Sequence, residues 1–496
     1  MSTRPHASGQ PWASIDIGSN SFRLELARLS GDRYQRISYT KESVRLGAGL
    51  DAQGNLTEAA IQRGLACLKG FASQLAGLPA ERVRAVATQT LREARNRNAF
   101  LERAQAVLGH PVEVIAGREE ARLIFAGVAR LQPSDKPRLV IDIGGRSTEM
   151  ILGQGRKPLL AESFGVGSVG LSLRFFADGR FTPEAFRAAQ VAAGAELEEA
   201  LTLFRPELWQ EALGSSGTVG AVSQILAATG QTDGRVTPAA LRWCIERCLE
   251  AGSQDRLQMP GLKDDRRPVV AGGLCILYTL LMQFGIDELL PTKGALRQGV
   301  IFDLAERLQP SVARDPRAAS VAELQQRFAV DTAQAERVAQ QAEKLYRQLQ
   351  PHPTPELMRE LGWAAALHEV GMLVSHHDHH RHSAYVIGHA DAAGFSNNQL
   401  QRLATLALGQ RGRLRKVEDA LGDASVLDQL MALRLAVIVC HARSVPAGAL
   451  KLTRQGQQFT LQCPKSWGAG QARTRYLLKE EAEAWARTGV ASLQLA

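Results

Sequence analysis

Residues 15–26 read IDIGSNSFRLEL, and residues 141–152 read IDIGGRSTEMIL. Asp16 aligns with Asp142, Gly18 with Gly144 and Ser21 with Ser147, each at an offset of 126 residues. In both copies an apolar strand ends in Asp, a Gly-containing turn with hydroxyl or amide side chains follows, and apolar alternation then resumes. Glycine admits positive φ and leaves turn amides uncovered, while Ser and Asn add side-chain donors. Each copy therefore predicts a hairpin whose tip cradles an anion. One such turn would carry little weight. Two in register predict homologous lobes, with Gly18, Ser19, Asn20 and Ser21 facing Gly144, Gly145 and Ser147 across a phosphate cleft.

A third Gly-rich turn, LGSSGT (213–218), precedes the helically spaced VGAVSQILA. A strand-to-helix step here would bring Gly217, Thr218 and the free amides of a helix N-terminus to the same cleft.

Composition sets the frame around these turns. At 496 residues the chain predicts several domains, and 45% hydrophobic with 22% charged residues is the mix of a soluble globular protein. The net charge of +9 is spread along the chain, which favours polyanionic partners. No nucleic-acid-binding signature accompanies it, so nucleic acid is not the expected partner. The uncharged stretch Val269 to Ile286 contains a Gly-Gly pair and a Gln and reads as a buried helix, so no membrane association is expected. The start MSTRPHASGQPW lacks the apolar run of a signal peptide. Six cysteines without framework spacing read as free thiols in a cytoplasmic protein.

The order of motifs resembles the actin, heat-shock-70 and sugar-kinase superfamily, and within it the exopolyphosphatase/guanosine pentaphosphate phosphatase family. The resemblance rests on the two repeats, ATQTLREA (87–94), GREEARLIFAGV (117–128), GSSGTV (214–219), KDDRRPVVAGG (263–273) and GALRQGV (294–300). LHEVG (367–371) and RHSAYVI (381–387) resemble the helical domain of the longer members. The implied fold class is α/β: two ribonuclease-H-like, actin-like lobes with a duplicated core, over 1–134 and 135–309. An all-helical HD-like domain over 310–446 and a small α+β segment over 447–496 follow.

The resemblance implies hydrolysis of a phosphoanhydride, with Glu120 as the base that activates water. From position alone, a Glu at a helix start is a capping and dipole residue, and Glu119 is left as the capping or orienting neighbour. Asp142 and Glu149 are the implied contacts of Mg2+ or another divalent cation, which needs few carboxylates besides phosphate oxygens. Arg92 is read as a bidentate phosphate clamp, and Arg267 as a cleft-facing cation for which Arg266 is the alternative. Two departures add charge: Arg146 stands where relatives carry a third glycine, and Arg23 where many carry His.

Inorganic polyphosphate, processed from its ends along a basic channel in a homodimer, is the first substrate expected. Guanosine pentaphosphate is the alternative, or both. A superfamily kinase or ATPase and a nucleotide-sensing protein without turnover are the rival classes. In HEVGMLVSHHDHHRH (368–382) the second HD ligand is Glu369, and His376 to His380 is expected to be a polar loop rather than a metal site.

Overall fold

A strand covered on both faces must be apolar along its whole length, and the first repeat meets that condition. In β1 (Trp12–Ile17) every residue after Trp12 is buried. The computed structural model describes residues 10–31, 33–308, 315–444, 448–464, 467 and 471–496. The first nine residues and the expected boundaries at 309/310 and 446/447 lie outside the described residues.

β1 pairs antiparallel with β2 (Phe22–Ser30), which pairs with β3 (Arg33–Glu42), and parallel with β4 (Val83–Ala87), which pairs with β5 (Val112–Val114). The order is β3-β2-β1-β4-β5. No residue of β3 is fully buried, as befits an edge strand. The second sheet repeats the plan. β6 (Arg138–Ile143) lies between β7 (Thr148–Gln154), flanked by β8 (Lys157–Phe164), and β9 (Glu211–Ser215), flanked by β10 (Leu290–Pro291). The register is duplicated too: Asp16 opposes Arg23 as Asp142 opposes Glu149, and four residues close each hairpin.

The helix Gly117–Leu131 and the helix Leu296–Arg307 cross between the two sheets at glycines. A methyl group at Gly299 would lie 1.7 Å from the Leu123 carbonyl oxygen, and one at Gly294 2.4 Å from Val128 Cα. The GALRQGV motif is thus a close-approach device that seats the helix carrying Glu120. Gly299→Ala is expected to cost about 1–3 kcal/mol of stability, read as a lower urea midpoint at unchanged m-value. The helix Leu296–Arg307 also packs on β1 and β4 of the first sheet, although its place in the sequence lies in the stretch expected to form the second lobe.

Behind these helices lies a buried ionic network. Arg84 pairs with Asp303 (2.7 Å) and Glu113 (2.9 Å), and Arg122 with Glu119 (2.7 Å) and Asp303 (2.6 Å). Arg307 joins Asp303 at 2.6 Å. Three guanidiniums meet three carboxylates. Glu119, in the first turn of its helix, belongs to this network.

Residues 269–286 form the buried helix Val270–Gln283, and among the described residues no helix is long and apolar enough to cross a membrane. All six cysteines are unpaired.

Residues 1–314 and 315–496 form two separate compact units. The second holds a helical bundle and a three-stranded sheet, order β11-β12-β13, of β11 (Lys451–Gln455), β12 (Gln458–Gln462) and β13 (Ser492–Leu495). Helical and sheet parts share one core, from Val321 to Leu493, so the expected helical domain and C-terminal segment pack as one body. His379 and His380, expected in a polar loop, instead open the helix His379–Gly388 and are buried.

Candidate active site

The two repeats come together. A methyl group at Gly145 would lie 3.2 Å from Ser19 Cβ, so the second hairpin rests directly against the first. None of Gly18, Gly144 and Gly145 uses positive φ, contrary to the expectation for such turns. Glycine is needed here for approach: a methyl at Gly18 or Gly144 would sit 3.1 Å from the carbonyl oxygen of Ser21 or Ser147.

Between the hairpins lies a cavity of about 70 Å3, several times the ~10–15 Å3 that one water needs. Its walls include Gly18, Ser19, Asn20 and Ser21 from the first hairpin and Gly144, Gly145 and Ser147 from the second. Asp142, Glu120, Gly217 and Thr218 complete the expected set on the wall. Ser21 Oγ is buried there without a hydrogen-bond partner. The helix Ser216–Ala228 begins at the cavity, where Ser216, Gly217 and Thr218 line the wall, and its N-cap Ser215 makes no side-chain cap bond. Ser216 holds a left-handed φ of 74° to make this turn, donating its Oγ to the Ile143 carbonyl at 2.9 Å.

Three expected residues stand off the wall. Arg92, read as a phosphate clamp, is not on the cavity wall. It donates to Glu120 Oε2 (2.8 Å), to the Ile115 carbonyl (2.9 Å) and to Gln89 Oε1, which makes it the residue that aims Glu120. Arg267 turns to Asp264 at 2.8 Å, and its neighbour Arg266 takes the cleft, because its guanidinium fits against the missing side chain of Gly217. Glu149 lies beside Asp142 as its cross-strand partner, accepting from Ser163 Oγ at 2.8 Å. The two departures also part company. Arg23 lines the cavity, but Arg146 reaches away from it to Glu93 (2.9 Å), adding no charge to the cradle.

Sequence reasoning passed over Asp16, Thr88, Ser168 and Arg297, all on the cavity wall. The register of the repeat is a signal for Asp16, since it mirrors Asp142. Arg297, inside GALRQGV, reaches Glu25 (3.0 Å) and Asp16 (3.7 Å) only through tertiary packing.

The electrostatics divide the acids. Asp16 is paired with Arg23 at 3.1 Å and Glu120 with Arg92, whereas Asp142 and Glu149 have no ion pair among the described residues. Burial pushes the Glu120 carboxyl up to about 7; the Arg92 charge opposes this, and Asp16 and Asp142 add to it. Burial, followed by the charges of Glu120 and Asp142, raises Glu149 well above the usual carboxylate range. Two adjacent buried carboxylates without cations suit a hard divalent ion, whose charge relieves the repulsion that otherwise holds protons on them. A base near neutrality, anion donors and this acidic pair are the parts that water-mediated phosphoryl cleavage requires.

Next to the cavity opens a chamber of about 320 Å3, lined by Lys41, Lys263, Lys293 and Tyr39 and sharing Arg23, Arg266 and Arg297 with it. Burial and then the Arg23 charge depress the Arg266 pKa, as expected of cations crowded for an anion. Arg266→Ala is expected to raise KM for a polyphosphorylated substrate about 10–100-fold, the loss of one charge-assisted contact, with a smaller effect on kcat. Steady-state phosphate release checks it.

With two actin-like lobes and such a cavity, the chain is a phosphoanhydride hydrolase. The chain belongs to the Ppx/GppA phosphatase family: the model of that family matches residues 27–308, and the model of its domain III matches residues 317–482. It is 35% identical over 468 residues, 92% of this chain and 93% of the relative, to the guanosine-5'-triphosphate,3'-diphosphate pyrophosphatase of Aeromonas hydrophila. Among solved structures it resembles an exopolyphosphatase from Cytophaga hutchinsonii, with TM-score 0.55, 26% identity, and 60% of this chain and 99% of that chain covered. A family member from Aquifex aeolicus matches with TM-score 0.51 and 27% identity over 60% of this chain and 99% of that one.

Proposed function

We propose that this hydrolase removes the terminal 5'-phosphate of guanosine pentaphosphate, releasing orthophosphate and guanosine tetraphosphate. The observation that carries the reading is the similarity to the Aeromonas hydrophila protein named for that substrate, which runs through both units of the chain. It reverses the order expected from the sequence, where polyphosphate came first. The chamber beside the cavity supports it: Lys263, Lys293 and Arg266 line it without an ion pair among the described residues, and a substrate with phosphates on both sides of a ribose needs charge beyond the site of cleavage.

In this reading the terminal phosphoryl group lies between the hairpins, its oxygens met by Ser19, Ser21, Ser147, Thr218 and the helix amides at Gly217. Glu120, held by Arg92, takes a proton from water as the water oxygen bonds to phosphorus. The bridging P–O bond breaks, its electron pair leaves on the diphosphate side, and Arg23 and Arg266 meet the charge formed there. Mg2+ or a similar cation, held by Asp142 and Glu149, would neutralise phosphoryl oxygens when bound. We place the enzyme in the cytoplasm, in keeping with its free thiols, as a homodimer.

Phosphate release from guanosine pentaphosphate and long polyphosphate, assayed side by side with Mg2+ present, tests the reading. A higher kcat/KM for the pentaphosphate is expected. A preference for polyphosphate that grows with chain length would restore the other substrate, and release unaffected by Glu120→Gln would remove the site.

A further inference from the structure

We propose that the C-terminal unit carries a second ligand site, for a nucleotide, in a cavity of about 500 Å3 bounded by the helices Ala424–Val439 and Ala472–Ala486 and the loop 410–413. The cavity is built wholly from residues 334–487 and is therefore separate from the hydrolytic cleft. Its size falls within the ~300–1,000 Å3 of small-molecule sites.

The walls are of two kinds. Met372, Val437, Ile438, Leu477 and Ala484 make an apolar face. Around them stand five arginines against three glutamates. The balance is not spent internally. Arg434 is taken by Glu481 and the Gly412 carbonyl, Arg443 by Glu369 at 2.7 Å, and Arg487 by Glu483 at 3.0 Å. Arg411 and Arg413 have no carboxylate partner among the described residues. Arg411 instead donates to His379 Nε2 at 3.0 Å, which holds that imidazole neutral and leaves the guanidinium charge uncompensated.

A metal does not suit this place. His368 Nδ1 is engaged with the Ala365 carbonyl at 2.6 Å and Glu369 with Arg443, and among the described residues no group of three His, Cys, Asp or Glu is placed to hold an ion. An inorganic anion would leave the apolar face wet, and an apolar ligand would leave the loop arginines unmet. A nucleoside phosphate answers both, its base on the apolar face and its phosphates toward Arg411 and Arg413.

The test is equilibrium dialysis of the full-length protein with GDP, comparing wild type with the Arg411→Ala/Arg413→Ala double variant. Both substituted side chains are exposed, and matching thermal melts check the fold. Wild type is expected to bind one equivalent more GDP than the double variant, with pentaphosphate hydrolysis at ligand-free initial rates unchanged. Leu477→Asp, on the apolar wall, should weaken the same equivalent at least tenfold. Equal stoichiometry in wild type and double variant would overturn the site. Pyrophosphate binding there as tightly as GDP would overturn its assignment to a nucleotide.

Discussion

Glu120→Gln is expected to lower kcat for phosphate release by about 10²–10⁴-fold, the usual worth of a positioned general base. The amide keeps the shape of the carboxylate and can still accept from Arg92, but it cannot take a proton from water. KM should change little, because in the proposed reading the substrate's phosphate is held by the other groups on the wall, which the substitution leaves in place. The pH profile carries the same cause. With the Glu120 carboxyl at about 7, kcat/KM should rise with pH to a plateau above that value, since only the ionised form is a base. Arg92→Gln removes the cation that opposes the burial effect, and should move this limb to higher pH. Stability has the opposite sign. Between the ordinary carboxylate range and about 7 the unfolded chain ionises Glu120 while the folded one retains its proton, so folding is increasingly penalised as pH rises. Glu120→Gln should therefore melt no lower than wild type, and higher at pH 8. A pH-independent loss of activity accompanied by a lower Tm would refute this assignment.

Asp303→Asn is expected to destabilise the first unit by about 3–5 kcal/mol, the cost of removing one partner from a buried ionic network. Asp303 receives Arg84, Arg122 and Arg307, and the substitution leaves three guanidiniums to share Glu113 and Glu119. Burial works against the Asp303 charge, but the charges of Arg307, Arg122 and Arg84 prevail and hold its carboxyl far below the usual range. A depressed pKa contributes stability above the unfolded value of ~3.9 and loses it as pH falls further. The gap between wild type and variant should be full at pH 7 and narrow below about pH 4, as denaturant melts at both values would reveal. Activity should fall as well, since Arg122 and Glu119 stand on the same helix as Glu120.

Much of the site was legible because it is carried by local chain geometry. In a β-hairpin the residues at the tip are together by connectivity, so Gly18 to Ser21 and Gly144 to Ser147 could be assigned from two short strings. The matching register then implied that the hairpins face one another. The arginines were less legible. A guanidinium on a long stem reaches in several directions, and which one it takes depends on partners distant in sequence. Arg92 goes to Glu120, 28 residues on, and Arg146 to Glu93, 53 residues back. The choice between Arg266 and Arg267 turned on the space at Gly217, which no local pattern records.

The sequence by itself determined the duplicated sheets, the turns that line the cavity and the helical character of the C-terminal unit, since periodicity, turn chemistry and repetition are properties of neighbouring residues. Only the tertiary structure decided which charges are spent on one another and which remain for a ligand. Pairing depends on burial and on partners brought from far along the chain, as when Arg297 closes on Glu25 and Asp16 while Asp142 has no ion pair among the described residues.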